Sequence, residues 1–194
     1  MDPGLLIAIM LNTALVNNFV LQRFLGICPF MGVTRDIKNV IGMGFALIFV
    51  MFLASAVTWP IHKFLLVPYG LTFLQTLVFV LIIATLVQLT EIVLRRYLRF
   101  LYNSLGVYLP LMVTNCAILA LTKTNISSQF TFIESLTNAV GAGLGFMIAM
   151  IIFSGIREHT ESAEPPESFK GLPILFVSAA ILSLAFSGFL GIFG

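Results

Sequence analysis

The sequence predicts an all-α integral membrane protein of six transmembrane helices, laid out as a 3+3 inverted repeat with helices 1 and 4 broken near their cysteines. Composition is the first ground. Of the 194 residues, 59% are hydrophobic and 9% charged, and mean hydropathy is +1.08, whereas a soluble domain carries roughly a quarter charged residues. Run length is the second, because the apolar residues cluster into stretches near or above the ~20 that span a bilayer. The third is the symmetry of punctuation, three spans followed by three more, each set opening on an unusual helix. These features exclude a water-soluble globule, a disordered chain and a nucleic-acid-binding arm. A net charge of +2 is too small to imply a polyanionic partner.

The spans are expected over about 5–27, 39–60, 71–94, 104–122, 132–156 and 171–193. The first run is not expected to be a cleavable signal, since Met1-Asp2-Pro3-Gly4 puts an acid where a secretory leader needs Lys or Arg. Thr34-Arg35-Asp36-Ile37-Lys38 forms the first turn, and Pro60 with Pro68-Tyr69-Gly70 closes the second connection. Arg95-Arg96-Tyr97 ends helix 3, and Lys123-Thr124-Asn125 with Ser127-Ser128-Gln129 marks the fourth connection. The fifth, Arg157 to Gly171, is the most polar stretch and is read as a solvated loop. A single membrane domain over 1–194 accounts for the chain, with repeats of about 1–97 and 98–194. An odd number of helices per half makes the two halves inverted in the bilayer.

Basic residues orient the bundle. Odd-numbered connections hold Arg35, Lys38, Arg95, Arg96, Arg99, Arg157 and Lys170, even-numbered ones only Lys63 and Lys123, and Arg23 lies within helix 1. The odd connections are therefore expected in the cytoplasm and both termini on the outer side.

Helix 1 carries Asn12, Asn17, Asn18, Gln22 and Arg23 before Gly26-Ile27-Cys28-Pro29, and helix 4 carries Gly106, Pro110, Thr114 and Asn115-Cys116. Each half thus holds one cysteine beside helix-breaking residues. Pro29 disfavours helical geometry at Cys28, and a break over Gly26–Pro29 would bring Cys28 to the depth of Cys116, about twelve residues into helix 4. Three readings of the thiols stand open. They are unrelated buried hydrophobes, a disulfide, or metal ligands. The last needs a second polypeptide, because iron–sulfur centres and structural zinc both normally take four ligands. His62 and His159, placed in connections on opposite faces, cannot complete the set.

Other residues have plainer readings. Gly141-Ala142-Gly143-Leu144-Gly145 is a small-residue stripe that lets helices approach, not a nucleotide loop. Glu91, four residues before Arg95, and Glu134, in the first turn of helix 5, are read as structural. Gly26, Pro29 and Pro110 are read as shape-setting. Asn17, Asn18 and Asn115 are candidates for hydrogen bonds to a cofactor or to freed carbonyls.

Three stretches then carry a resemblance. Leu15-Val16-Asn17-Asn18-Phe19-Val20-Leu21, Phe24-Leu25-Gly26-Ile27-Cys28-Pro29-Phe30-Met31-Gly32-Val33 and Leu109-Pro110-Leu111-Met112-Val113-Thr114-Asn115-Cys116-Ala117 resemble the A-type membrane component of the Rnf complex. Val87-Gln88-Leu89-Thr90-Glu91 and Gly155-Ile156-Arg157-Glu158 extend the likeness over essentially the whole chain. The resemblance implies a multi-pass component of a prokaryotic inner-membrane complex that couples electron transfer between ferredoxin and NAD+ to Na+ or H+ movement. It implies a face-to-face partner, the homologous E-type Rnf component, and further Rnf components of types B, C, D and G. It also implies that Cys28 and Cys116 provide two of the four ligands of a [2Fe-2S] cluster shared with that partner, with Asn17, Asn18, Gly26, Pro29, Pro110 and Asn115 as the surrounding shell. No activity is expected of the chain alone. The alternatives are the equivalent E-type component of the Na+-translocating NADH:quinone oxidoreductase (Nqr), or a redox-inactive six-helix secondary transporter.

Overall fold

The computed structural model describes residues 3–34, 37–68, 72–97, 115–162 and 171–193. Among them all regular structure is helical. Helix α1 (Pro3–Leu11) widens into a π turn over Asn12–Val16, followed by α2 (Phe19–Arg23) and α3 (Ile27–Val33). Next come α4 (Ile37–Ile61) with a π turn over His62–Leu66, a 3-10 turn (Thr72–Leu74) and α5 (Gln75–Tyr97). The second half contains α6 (Cys116–Ser127), α7 (Phe132–Ser162) and α8 (Leu172–Phe193). Three segments among the described residues are long and apolar enough to cross a membrane: Asn39–Leu66, Gln75–Val93 and Phe132–Thr160. Gly4–Leu15 and Pro173–Gly188 are shorter apolar helices.

The centre of the bundle is an antiparallel pair, α4 against α7. Gly44 lies beside Met147, Gly143 beside Ile48, Ser55 beside Ser135 and Trp59 beside Phe132. Met43, Leu47, Met51 and Ala54 repeat at helical spacing along the buried stripe of α4, and Ala142, Phe146, Ala149 and Phe153 do so on α7. Large apolar side chains such as Phe45, Phe49, Leu77, Leu81 and Leu184 point outward. An outward apolar surface of this kind suits lipid or other membrane helices.

The glycine stripe of α7 works on two sides. A Cβ at Gly143 would lie 2.7 Å from Ile48 Cγ1 on α4. At Gly141 it would lie 2.8 Å from the Met10 carbonyl oxygen, and at Gly145 2.7 Å from that of Ala14. Backbone-to-backbone approach of α1 and its π turn to α7 therefore requires glycine at Gly141 and Gly145. Gly145→Ala is expected to destabilise the assembly by about 1–3 kcal/mol, because backbone atoms cannot swing aside. A lowered thermal midpoint checks it, with Gly155→Ala as control, since Gly155 has nothing within 4 Å of its Cβ position.

A buried polar chain runs across the bundle. Thr13 on the α1 π turn donates to Asn138 Oδ1, Asn138 Nδ2 donates to Asn125 Oδ1 at 2.6 Å, and Asn125 Nδ2 donates to Ser55 Oγ at 2.9 Å. The Ser55 hydroxyl ends on the Ser135 carbonyl at 3.0 Å. The chain links α1, α7, α6 and α4 at membrane depth, where polar groups depend on one another for partners. Asn138→Leu strips the donor that the Asn125 amide oxygen accepts and is expected to lower stability by about 1–2 kcal/mol, read as a drop in thermal midpoint of the purified assembly.

Several boundaries differ from those read off the sequence. The stretch 5–27 is not one helix, because Asn17 and Asn18 leave helical geometry and Phe24 and Gly26 are left-handed, at φ 53° and 84°. Pro60 lies inside α4, which runs on into the π turn over His62–Leu66 rather than ending at the proline. Helix α7 continues to Ser162 through Arg157 and His159, where a loop was expected. Glu and Arg continue a helix readily, and Arg157 Nη1 reaches Thr34 Oγ1 at 3.2 Å, anchoring that end. His62 and His159 are thus in helical turns at opposite ends of the α4–α7 pair, not in connections. Glu134 behaves as a cap: its Oε2 accepts the Thr131 N–H at 2.9 Å, the glutamate half of a Thr-x-x-Glu capping box at the start of α7. Residues 98–114, including Pro110 and most of the expected helix 4, lie outside the described residues, as do 163–170.

Candidate cofactor-ligating site

The two helices that carry the cysteines begin beside one glycine, Gly26. Cys28 is the second residue of α3, and Cys116 the first of α6. Pro29 does not expel Cys28 from the helix. Proline in a first turn lacks only an N–H that would have had no acceptor there. Cys116 heads a helix at Asn115, where the chain is extended (φ −72°, ψ 108°), so depth counted along a continuous helix 104–122 does not apply to it.

Gly26 joins the two. It lies two residues before Cys28, and its N–H donates to Cys116 Sγ at 3.0 Å. Its φ of 84° favours glycine, and the space is closed as well: a Cβ would lie 2.6 Å from Phe146 Cε2 and 3.2 Å from Asn115 Oδ1. Phe146 is the middle residue of the Phe132–Thr160 span. The site is therefore level with the centre of that apolar segment. Phe146 was not singled out in the sequence. Its one signal there is that it is the large residue directly following the small-residue stripe Gly141–Gly145.

The three asparagines separate into different roles. Asn115 is 3% exposed and caps α6, its Oδ1 accepting the Ala117 N–H at 2.9 Å. Its Nδ2 is buried without a hydrogen-bond partner among the described residues. Asn18 caps α2 in the same way, Oδ1 to Val20 N–H at 3.0 Å, but its Nδ2 donates to the carbonyls of Ala14 at 3.1 Å and Gly145 at 2.8 Å. Asn17 is exposed and bonds Asn12 Oδ1 at 2.7 Å. It lines a cavity of about 250 Å³ of mixed polar and apolar lining, with Asn12, Thr13, Arg23, Asn138 and the apolar Ile9 and Phe130. Arg23, noted in the sequence only for its place in helix 1, stands there with its guanidinium 5.7 Å from the Phe19 ring centroid.

Chemically the site offers two thiols, one backbone N–H already on sulfur, and one idle amide donor. Cys28 is exposed and Cys116 half-exposed, so both can be reached from outside the chain. Among the described residues no group of three or more His, Cys, Asp and Glu side chains comes together. The donor set fits half of a thiolate-ligated cluster: soft sulfur ligands, N–H donors toward sulfur, and an open side for the remaining ligands.

Fold and site together define a helical membrane protein with two accessible thiols near one mid-span turn. A family model described as "Rnf-Nqr subunit, membrane protein" matches residues 6–193. The chain is 49% identical over 186 residues to the A component of the Na(+)-translocating ferredoxin:NAD(+) oxidoreductase complex of Acetobacterium woodii, covering 96% of this chain and 97% of that one. It is 47% identical over 187 residues to the A component of the ion-translocating oxidoreductase complex of Syntrophotalea carbinolica, again covering 96% and 97%. The corresponding protein of Azoarcus sp. is 47% identical over 184 residues, covering 95% of each chain. The chain belongs to the Rnf-Nqr family of membrane subunits.

Proposed function

We propose that this chain is a non-autonomous membrane component of an ion-translocating ferredoxin:NAD+ oxidoreductase of the Rnf type, in which Cys28 and Cys116 ligate one [2Fe-2S] cluster completed by two thiolates of the homologous E-type component. The observation that carries it is the convergence of two helix starts on Gly26. It supports the reading by putting Cys116 Sγ against the turn that leads into Cys28, with both thiols accessible and Phe146 of the mid-span behind them. When bound, the cluster supplies a one-electron stepping stone between redox groups on the two membrane sides. Gly26 N–H holds the Cys116 sulfur in place, α6 presents its positive N-terminal end to it, and Phe146 shields the site from the bundle interior.

The six-span inverted repeat is part of the same proposal. Element starts recur at an offset of 97 positions: Phe19 and Cys116 open α2 and α6, and Gln75 and Leu172 open α5 and α8. The capping asparagines Asn18 and Asn115 share that offset and nearly the same backbone angles. Antiparallel packing of α4 on α7 suits halves related by an axis in the membrane plane. In this arrangement α1–α3 and α6 with the residues before it are the two broken spans. The termini face outward from a prokaryotic inner membrane, by the distribution of Lys and Arg. Coupling to Na+ or H+ follows if a change in cluster charge within a low-dielectric bundle shifts the packing of the pair. The test is iron content and EPR of the anaerobically purified complex, wild type against Cys28→Ser and Cys116→Ser.

A further inference from the structure

We infer that Asn115 is a positioning residue for the sulfur chemistry of the site: its idle Nδ2 takes a sulfur that arrives with the metal centre, beside the Gly26 N–H already on Cys116 Sγ, and the two donors together raise the reduction potential of the thiolate-bound centre. This rests on the reading of Cys28 and Cys116 as cluster ligands. The amide of Asn115 has only one orientation consistent with its cap, since Oδ1 takes the Ala117 N–H at 2.9 Å. That leaves both Nδ2 protons buried, on a residue 3% exposed, with no acceptor among the described residues. Buried amide donors are nearly always satisfied. An idle one beside a metal-ligand candidate calls for an acceptor that arrives with the metal.

The first half of the chain supplies the internal comparison. Asn18, which caps α2 with the same geometry, has its Nδ2 held by two carbonyls, Ala14 and Gly145. Of two matching asparagine caps, only the one next to a cysteine keeps an idle donor among the described residues. Its location is right, because the oxygen of the same planar amide lies 3.2 Å from the Gly26 Cβ position, and Gly26 N–H is already 3.0 Å from Cys116 Sγ. Asn17, exposed and bonded to Asn12, is not one of these donors. Donors aimed at cluster or ligand sulfur stabilise the more negative, reduced state and so raise the potential.

The experiment is an EPR-monitored redox titration of the assembled complex carrying Asn115→Ser. Serine keeps a cap oxygen for the Ala117 N–H and removes the amide donor. The [2Fe-2S] signal is expected at wild-type intensity with its midpoint potential shifted down. Asn115→Asp, which keeps the cap but replaces the donor with an acceptor, is expected to shift it further in the same direction. An unchanged midpoint in the serine variant, with the signal intact, would reduce Asn115 to a helix cap and overturn the inference alone. If the variant loses its signal through misassembly, pulsed EPR of wild-type complex with nitrogen-15 asparagine decides instead. A weak coupling to an asparagine nitrogen is expected, and its absence overturns the inference. A wild-type signal that survives both cysteine substitutions would instead remove the cluster reading itself.

Discussion

Cys116→Ser, in a complex that retains all its components, is expected to abolish one [2Fe-2S] EPR signal, remove about two irons per complex and stop electron transfer. Cys28→Ser is expected to remove the same signal. The two substitutions should be equivalent although the residues are far apart in sequence and sit on separate helices, because both thiolates would hold one centre. A serine hydroxyl is a far weaker ligand for iron than a thiolate. The effect on packing should be small, since Cys28 is exposed and Cys116 half-exposed in the chain by itself. That contrast gives the experiment its force. A packing cysteine would change stability slightly and iron not at all, whereas a ligand would change iron completely with little change in the fold. Unchanged iron and an unchanged signal in both variants would return the thiols to packing and favour a redox-inactive transporter.

Gly26→Ala is expected to have the next largest effect, loss of most of the cluster signal without change at either cysteine. Two independent penalties meet at this position. A non-glycine residue at φ 84° costs roughly 1–2 kcal/mol, and the added methyl would sit 2.6 Å from the Phe146 ring, an overpacking penalty of about 1–3 kcal/mol. Both push the Gly26 N–H away from Cys116 Sγ, which it now meets at 3.0 Å. The two parts can be separated. Adding Phe146→Leu relieves the steric clash but not the backbone strain, so the double variant should recover part of the signal. Full recovery would mean that the left-handed turn is unimportant. No recovery would mean that backbone strain alone displaces the N–H.

Much of the molecule was legible in the sequence because its signals are local sums. Apolar fraction and run length identify a membrane protein, since a bilayer demands long stretches with satisfied backbones wherever they lie in the chain. The stripe Gly141–Gly145 was readable as a close-approach surface, because steric size is a property of each residue alone. The resemblance to the Rnf membrane components was readable from contiguous motifs around both cysteines, and the family match over residues 6–193 bears it out. Glu134 was readable as structural from its place in the first turn of α7.

What remained hidden depends on contacts between segments distant in sequence. Nothing along the chain says that Gly26 meets Cys116, that Phe146 closes the space behind it, or that Gly141 and Gly145 face α1 while Gly143 faces α4. The three asparagines looked alike as residues. Their partners divided them: two carbonyls for Asn18, a neighbouring amide for Asn17, and, among the described residues, none for the donor of Asn115. Helix limits failed in the sequence where long-range bonds decided them, as at Arg157, whose guanidinium meets Thr34 and so ties the extended end of α7 to the turn after α3. The sequence by itself determined the solvent this protein lives in and its family, since both are written in residue types and their order. Only the tertiary structure decided that the Gly26 N–H meets the Cys116 sulfur, because a hydrogen bond depends on a few tenths of an ångström and a direction that composition does not carry.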